Sequence, residues 1–349
     1  NLARVASQRP SAQTGHQETC RIGRADSRRA EVRAVMAREV VLCGASGGVG
    51  SYLAPLLAKA GWKVHGVSRS QPSFANELGD AYQHHSLDLL RPQSQRFGDL
   101  PLVISAAITR DGKQKWIAEG NAALTRNALA LTTGPVVHIS SSSVYDLRKP
   151  SVNVLESDAT GNYPFLNSYS AGKWASEQLV CQSDRPAIIL RPHAVYGPGD
   201  QTLVPRLRAA VRLGIIVLPL RNNPVHQFTS MANLAQAIEL SLLKLAAGDV
   251  TSAVVLNVTD STPTAVRDAV KRAVGADVRI ATAPLEMFQA VALLAELVGR
   301  LNKSEPRLSR YSVAQLSQSR TYNLDAARAF LGYAPTPTDF SEALPTNLA

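Results

Sequence analysis

A tyrosine and a lysine four residues apart are the pair in this sequence best suited to proton transfer. They are Tyr169 and Lys173, in the run Asn167-Ser-Tyr-Ser-Ala-Gly-Lys173, and this spacing places two side chains on one face of a helix. A free phenol ionises at about pH 10, so a tyrosine exchanges protons near neutrality only when a positive charge stabilises its phenolate. We predict that Lys173 supplies this charge. Taken alone, such a pair is more often an ordinary surface pair.

A cluster of hydroxyl groups precedes this pair in the chain. The apolar run Val136 to Ile139 leads into Ser140-Ser-Ser-Ser143-Val-Tyr145. Ligands of open parallel sheets bind at the carboxyl ends of the strands, which is where a hydroxyl would orient a substrate oxygen. Four serines after a strand are also typical of a plain polar loop. The prediction of a catalytic site therefore depends on the joint occurrence of this cluster, the Tyr/Lys pair and a nucleotide-binding turn.

A glycine-rich turn lies near the start of the folded part of the chain. Val40 to Cys43 runs directly into Gly44-Ala-Ser-Gly-Gly-Val-Gly50, and a helical apolar pattern follows. Glycines allow the tight turn and the close approach of a diphosphate, and the helix N-terminus stabilises the phosphates. This strand, turn and helix predict a dinucleotide site. The predicted contacts are Gly44, Ser46, Gly47, Gly48, Val49 and Gly50.

The residues after the next two strands bear on the choice of cofactor. The second strand ends in Val67-Ser-Arg69, and a basic residue there suits the 2′-phosphate of NADP(H), whereas an acidic residue suits NAD(H). We therefore favour NADP(H) and keep NAD(H) as the alternative, because arginines such as Arg69 also occur simply as solvated surface residues. Asp88, followed by Leu89, is placed to bind the adenine amine or to cap the next helix.

The elements that must position these residues alternate along the chain. Short β-branched runs recur at 40–43, 63–67, 102–104, 136–139, 187–190 and 254–258, with helical patterns between them. This alternation predicts an α/β fold with a doubly wound parallel sheet of the Rossmann type. Prolines and glycines interrupt it after Leu190, where a smaller C-terminal substrate domain begins. We assign 37–195 and a returning part near 226–260 to the dinucleotide-binding domain, and 196–225 and 261–349 to the substrate domain.

Composition limits the classes of function. The chain has 349 residues, 45% of them apolar, and a formal charge of +10. Much of the basic excess lies in residues 1–36, which we predict to be a disordered extension, with Met36 a plausible true start. This extension lacks an amphipathic pattern and carries Glu18, Asp26 and Glu31, which argues against a nucleic-acid partner or a transit peptide. Three cysteines without metal-ligand spacing favour a reducing, cytoplasmic setting, and no run suffices for a membrane span.

Four ordered motifs carry a family resemblance. The glycine turn, the serine cluster ending in Tyr145, Tyr169-x-x-x-Lys173 and Leu190-Arg-Pro-x-x-Val-Tyr-Gly-Pro198 resemble successive signatures of the extended short-chain dehydrogenases/reductases. The resemblance spans the chain from about residue 39 onward. It implies that Ser141 is the active hydroxyl, that Tyr169 is the general acid and base, and that Lys173 lowers the pKa of Tyr169 and holds the nicotinamide ribose.

The same resemblance assigns further positions around the cofactor. Ser105-Ala106 resembles the family's fourth-strand segment beside the cofactor, and Pro192 lies in the Arg-Pro motif, so Ala106 and Pro192 join the predicted contacts. Asn121 resembles an asparagine that, in the family, supports this fourth-strand segment, which forms one wall of the cofactor site; alternatively, Asn121 is a buried structural amide. His193 is placed to touch the nicotinamide or substrate, or is a non-catalytic loop histidine. Relatives in the family often pair through the Tyr/Lys helix, which implies a homodimer.

The C-terminal part resembles one branch of that family. Glu305 to Tyr311, Arg320 to Arg328 and Leu331 to Pro335 are similar to the end of the 3β-hydroxysteroid dehydrogenase and 2-alkyl-3-oxoalkanoate reductase branch, which implies a lipophilic 3-hydroxy or 3-oxo substrate. Ser230-Met-Ala-Asn233 departs from the aspartate-bearing version. The apolar run 284–298 is typical of a domain-packing helix, and it also suits a greasy pocket or peripheral contact with a membrane.

Three functions remain open at this level. The first is an NAD(P)(H)-dependent oxidoreductase that interconverts a secondary alcohol and a ketone. The second keeps the same residues but acts on nucleotide sugars as an epimerase or ketoreductase, because fold does not settle substrate. The third is a catalytically silent NADP-binding regulator. Retention of both Tyr169 and Lys173 argues against the third.

Overall fold

Parallel strands make up most of the structure, a computed structural model that describes residues 38–108, 114–200, 202–219, 222–301 and 308–340. The extension predicted for residues 1–36 lies outside the described residues. The strands are β1 Arg38–Cys43, β2 Trp62–Ser68, β3 Tyr82–Ser86, β4 Leu102–Ile104, β5 Val136–Ile139, β6 Ser151–Val154, β7 Ala187–Pro192, β8 Val195–Tyr196, β9 Ile215–Leu218, β10 Val225–His226, β11 Thr229–Ser230, β12 Ala253–Val258, β13 Thr264–Ala265, β14 Arg279–Thr282 and β15 Arg320–Tyr322.

The helices alternate with these strands through the first two thirds of the chain. They are α1 Gly48–Lys59, α2 Gln114–Leu129, α3 Ser168–Cys181, α4 Leu203–Ala210, α5 Met231–Ala246, α6 Val266–Val274, α7 Leu285–Leu301, α8 Arg310–Ser317 and α9 Asp325–Leu331. A short 3-10 turn, Ser142–Val144, follows β5. None of the helices in the described part of the chain has both the length and the apolar character needed to cross a bilayer.

Seven strands form the main sheet in the order β12-β7-β5-β4-β1-β2-β3. The described registers are parallel, with Val41 opposite Leu102 and Val136 opposite Ala187. All six strands expected from the sequence are present, so the prediction of a doubly wound parallel sheet is confirmed. The strand order reverses direction between β1 and β4, and such a reversal opens a crevice at the carboxyl ends of the strands.

Apolar side chains cover both faces of this sheet. Val40 and Leu42 of β1 join one buried cluster with residues of α1 and α5, whereas Val41 and Cys43 join a second cluster with residues of α2 and α3. Alternate residues of one strand therefore bury against opposite helix layers. This arrangement explains why the strand sequences are continuously apolar.

Smaller sheets lie beyond the main one. One has the order β13-β10-β15-β6, and two-stranded pairs join β14 to β9 and β11 to β8. Four of these eight strands, β9, β13, β14 and β15, come from the ranges assigned to the substrate domain, whereas β6 and β11 come from the ranges assigned to the dinucleotide-binding domain. The C-terminal strand β15 pairs in parallel with β6, with Arg320 opposite Ser151. The chain therefore returns to lie beside the residues that follow the serine cluster.

Candidate active site

The serine cluster stands at the carboxyl end of β5. Ser141 caps the 3-10 turn that follows, and its Oγ accepts a hydrogen bond from the Ser143 backbone N–H at 3.1 Å. Ser142 and Ser143 are buried, whereas Ser141 keeps partial exposure. Of these three hydroxyls, Ser141 is thus the one available to a ligand in the crevice.

Helix α3 brings the tyrosine and lysine to the same place. Asn167 caps the helix by accepting from the Ser170 backbone N–H at 2.8 Å. Tyr169 is the second residue of the helix and lies within hydrogen-bonding reach of the Ser141 side chain. Lys173 Nζ donates to the Ile139 carbonyl oxygen at 2.7 Å, at the last residue of β5. The structure therefore gathers all three predicted catalytic residues at one strand end.

The pKa values of the tyrosine and the lysine move in directions set mainly by burial. Burial raises the pKa of Tyr169, the neighbouring Tyr311 adds to this, and the hydrogen bond with Ser141 opposes it. Burial lowers the pKa of Lys173 from 10.5 to about 8, although the carboxylate of Glu177 partly offsets the shift. Burial therefore outweighs the opposing influence on the pKa of Tyr169. Tyr169 is therefore a neutral phenol here at pH 7, able to donate a proton.

A second polar cluster lies one helical turn further along α3. Sequence patterns gave no indication of its role. Arg191 on β7 binds Glu177 on α3 through two contacts, Nη2 to Oε2 at 2.7 Å and Nε to Oε1 at 2.9 Å. Ser140 Oγ also donates to Glu177, and Tyr145 donates to Asn257 Oδ1 at 2.6 Å. The available signal was the four-residue spacing from Lys173 to Glu177, which repeats the spacing from Tyr169.

His193 is a buried link between the two halves of the chain. It is 1% exposed, and its Nδ1 lies 2.7 Å from Ser142 Oγ while its Nε2 lies 3.2 Å from His226 Nδ1. His226 Nε2 in turn lies 2.9 Å from the Gln318 carbonyl oxygen. A carbonyl only accepts hydrogen bonds, so His226 must carry its proton on Nε2, and His193 must donate from Nε2 and accept at Nδ1.

Burial keeps both rings of this link neutral. It lowers the pKa of His226 to about 4 and the pKa of His193 well below its usual value. With its two ring nitrogens already engaged, His193 serves to hold Ser142 in place. It is not free to contact a ligand in this arrangement.

The glycine turn forms a cradle in which side chains do not fit. Gly44 has a φ of 88°, and a Cβ there would lie 2.7 Å from the Ala106 backbone nitrogen. A Cβ on Gly48 would lie 2.7 Å from the Gly199 carbonyl oxygen. Ser46 and Gly47 are exposed at the turn, and Val49 and Gly50 belong to the first turn of α1. Backbone N–H groups of a helix N-terminus suit a diphosphate, so these residues fit a dinucleotide.

The side chains predicted to select the cofactor differ in whether they already interact with other residues of the protein. Arg69 follows β2 and is exposed, and its guanidinium has no hydrogen bond or ion pair with any residue that the structure describes. Asp88 Oδ1 accepts from the Leu90 backbone N–H at 3.1 Å, so this carboxylate caps a local turn. Leu89 is 6% exposed and packs in the core.

The wall formed after β4 is held by two polar side chains. Ser105 Oγ donates to the Cys43 carbonyl oxygen at 2.8 Å and ties β4 to β1. The Asn121 amide binds both backbone groups of Ile108, at 2.9 Å and 3.0 Å. Asn121 is thus a structural amide that supports this wall. Ala106 stands against Gly44, and Pro192 ends β7 in a buried position.

One residue near the tyrosine comes from the far end of the chain. Tyr311, on α8, is close enough to raise the pKa of Tyr169, and its hydroxyl accepts from Gln315 Nε2 at 3.1 Å. In the sequence, Tyr311 is recognisable only as the end of a C-terminal motif. No local pattern indicates a contact between residues so far apart in the chain.

Known proteins resemble this chain along most of its length. A model of the NAD dependent epimerase/dehydratase family matches residues 40–258. The protein YbjS of Escherichia coli strain K12 is 26% identical over 86% of the chain and 94% of its own length. A 2-alkyl-3-oxoalkanoate reductase of Shewanella oneidensis is 25% identical over 83% of the chain and 81% of its own length.

Other similarities are shorter or structural. The decarboxylating sterol-4-alpha-carboxylate 3-dehydrogenase of Saccharomyces cerevisiae is 29% identical over 49% of the chain, which spans about half (52%) of that relative. The structure of UDP-glucose 4-epimerase from Brucella ovis in complex with NAD is similar with a TM-score of 0.64 and 18% identity, over 88% of this chain and 96% of that one. Identity this low shows a shared fold alone.

Proposed function

The chain belongs to the NAD dependent epimerase/dehydratase family, and from that premise we propose an oxidoreductase that interconverts a secondary alcohol and a ketone. The observation that carries the proposal is the convergence of Ser141, Tyr169 and Lys173 at the carboxyl end of β5, the same edge of the parallel sheet at which the glycine turn follows β1. A serine hydroxyl and a phenol held close together can each form a hydrogen bond to the same substrate oxygen. That geometry suits carbonyl reduction and its reverse.

Each residue of the trio has a distinct task in this proposal. The nicotinamide cofactor, when bound, supplies or accepts the hydride. Ser141 orients the substrate oxygen, and Tyr169 donates a proton to that oxygen during reduction or removes it during oxidation. Lys173 provides a positive charge one helical turn away, which lowers the cost of the phenolate when Tyr169 gives up its proton.

The protonation state of Tyr169 suits the proton donor that ketone reduction requires near neutral pH. Burial raises the pKa of Tyr169, so the phenol holds its proton and acts as a general acid. Donation of that proton leaves a phenolate, and alcohol oxidation starts from the same phenolate. Both directions therefore depend on the stabilisation of this anion by Lys173.

NADP(H) is the cofactor that the residues favour. The family is NAD-dependent in the broad sense. The support for the phosphorylated form is Arg69, an exposed cation without a partner among the described residues, at the end of β2 where the adenosine ribose of a dinucleotide lies in this fold. A 2′-phosphate offers it a charge-assisted hydrogen bond.

A lipophilic 3-oxo or 3-hydroxy compound is the substrate class we propose. The support comes from two relatives, one named as a 2-alkyl-3-oxoalkanoate reductase and one as a sterol-4-alpha-carboxylate 3-dehydrogenase. The similarity to a UDP-glucose 4-epimerase structure keeps sugar-nucleotide epimerisation as a second candidate. A screen of hydrophobic 3-oxo compounds against sugar nucleotides, followed by the nicotinamide absorbance and by epimer analysis, separates the two.

The decisive variant is Tyr169→Phe. Removal of the phenolic hydroxyl should lower kcat by about a hundredfold or more, because general acid catalysis contributes on that order. Binding of NADPH, followed by fluorescence titration, should remain. Tyr163→Phe is the matched control, since Tyr163 donates to the Val144 carbonyl oxygen beside the same turn without belonging to the trio. Full activity in Tyr169→Phe would sink the proposal.

A further inference from the structure

We propose that the outward face of α7 docks on the surface of a lipid bilayer that carries anionic headgroups. This inference goes beyond the reaction proposed above and does not depend on it. It begins from an unusual distribution of apolar side chains on α7, Leu285–Leu301.

The outward face of α7 is apolar along its whole length. Met287, Val291, Leu294, Val298 and Leu301 follow at intervals of four and three residues, which is the spacing of a single helix face. These five side chains, with the flanking Leu293 and Leu297, are between 46% and 82% exposed. The opposite face of the helix is buried through Ala292 and Glu296. The apolar stripe of α7 is therefore turned away from the protein.

Such a face is rare on a protein that stays alone in water. Seventeen helical residues extend about 25 Å, so the exposed side chains form one continuous patch instead of scattered contacts. Contiguous apolar patches of several hundred Å² usually mark an interaction site. The helix does not meet the requirements of a membrane span. An apolar helix that cannot cross a bilayer can still lie in its interfacial plane.

Cations on neighbouring elements suit an anionic surface. Between residues 203 and 219, the structure describes three arginines and no acidic residue. The strand β14, which leads directly into α7, begins with the exposed Arg279. Arg267 and Arg272 on α6 are also exposed, and over 203–219 and 266–286 together seven cations stand against three acidic residues, Asp268, Asp277 and Glu286. Each arginine near an anionic membrane adds about tenfold in affinity or somewhat less.

One leucine beside the start of β14 adds support, since the Arg279 backbone N–H donates to the carbonyl oxygen of the residue that follows this leucine, Gly214, at 2.8 Å. Leu213 is completely exposed and has a φ of 49°, a left-handed conformation that is unfavourable for a branched side chain. It stands at a turn tip between Arg212 and Gly214. Neither burial nor backbone preference explains a leucine there. A strained, outward leucine beside an arginine is suited to insertion among lipid headgroups.

The proposed surface adjoins the active site. On the inner side of α7, Glu296 accepts from the Arg310 backbone N–H at 2.8 Å and from Arg310 Nε at 2.9 Å. The next residue, Tyr311, is the neighbour of Tyr169. A cavity of about 310 Å³ between α7 and the start of α3 is lined by both Glu296 and Arg310. Docking through α7 would hold this cavity close to the bilayer.

A bilayer fits the face better than a second copy of the chain does. Protein interfaces combine apolar contacts with hydrogen bonds and a polar rim. The five residues of the outward face of α7, Met287, Val291, Leu294, Val298 and Leu301, have no N–H or oxygen in their side chains to form a hydrogen bond. Lipid acyl chains require none.

The test uses the full-length protein and vesicle flotation. Phosphatidylcholine vesicles are compared with vesicles that also contain phosphatidylserine. The wild type should bind the anionic vesicles at least about tenfold more tightly. The pair Leu294→Gln and Val298→Gln should weaken this binding by about tenfold or more, and Leu213→Gln by a smaller factor. Leu243→Gln is the matched control, because Leu243 is an exposed leucine on α5, and it should leave binding unchanged.

Folding and self-association are monitored in the same samples. Circular dichroism and NADPH titration show whether the variants remain native. Failure of the wild type to bind anionic vesicles, or equal binding by the α7 variant, overturns the proposal. It is also overturned if the wild type is a dimer on size-exclusion chromatography that the α7 substitutions convert to a monomer, since a second copy then covers the face.

Discussion

Two buried polar clusters meet on α3, one helical turn apart, and they differ in how completely their groups are paired. Glu177 and Arg191 satisfy one another twice, and Ser140 and Tyr145 bind the remaining positions. Lys173 has a single hydrogen bond to a backbone carbonyl among the described residues. Both clusters are buried, so burial alone does not separate them. We propose that the saturated cluster holds the fold, whereas Lys173 in the other cluster keeps N–H donors for a ligand.

The energetic cost of each cluster follows from this difference. Burial lowers the pKa of Lys173 from 10.5 to about 8. This shift corresponds to a destabilisation of the charged form of Lys173 by about 3 kcal/mol. The Arg191 guanidinium, by contrast, has its charge compensated by Glu177 at 2.7 Å. A protein retains an expensive, incompletely paired charge where function requires it. The contrast can be tested by removing one charge at a time.

The largest effect is expected from Lys173→Met. The substitution removes the positive charge beside Tyr169, and kcat for ketone reduction should fall by about a hundredfold or more. The free energy of unfolding should not fall, because a costly buried charge disappears. Steady-state kinetics and urea denaturation measure the two quantities. Lys244→Met, which alters an exposed pair with Asp249, should change neither.

The opposite pattern is expected for Arg191→Met. It leaves Glu177 buried without its partner and should lower the free energy of unfolding by about 3–5 kcal/mol. Adding Glu177→Leu should recover part of this loss, because the unpaired carboxylate is then gone. Arg328→Met, at an exposed pair with Asp325, should cost at most about 1 kcal/mol. A stable Arg191→Met protein with low kcat would erase the distinction between the clusters.

The smallest effect concerns Arg69, a cation without a partner among the residues that the structure describes. Arg69→Ala should raise the KM for NADPH by about tenfold, because it removes a charge-assisted hydrogen bond to the 2′-phosphate. The KM for NADH should stay the same, and Lys59→Ala, at an exposed lysine ending α1, should affect neither cofactor. An equal loss for NADH and NADPH would assign Arg69 another role.

Local patterns were sufficient for the main sheet and the glycine turn. Val40 to Cys43 and Val136 to Ile139 are short apolar runs followed by polar or glycine residues, and both are observed as central strands. The proximity of Tyr169 and Lys173 could likewise be predicted from their four-residue spacing, because both residues lie on one helix. The family resemblance added Ser141, whose contact with Tyr169 joins residues 28 positions apart. These features depend on neighbours in sequence or on motifs of fixed order.

The role of α7 could not be derived in this way. Its apolar periodicity is typical of a helix that packs in the interior, and that was the ordinary interpretation. The structure instead leaves most of its large apolar side chains exposed. Periodicity indicates that a helix has an apolar face, but it carries no information on whether another element covers that face.

By itself, the sequence determined the sheet, the nucleotide turn and the Tyr169/Lys173 pair, because each follows from periodicity or from short fixed spacing, and its resemblance to a family added Ser141. Only the tertiary structure decided that His193 binds His226, that Tyr311 adjoins Tyr169 and that Glu177 is saturated by Arg191. These contacts join segments far apart in the chain. Their geometry depends on how whole layers pack, and no local pattern encodes that packing.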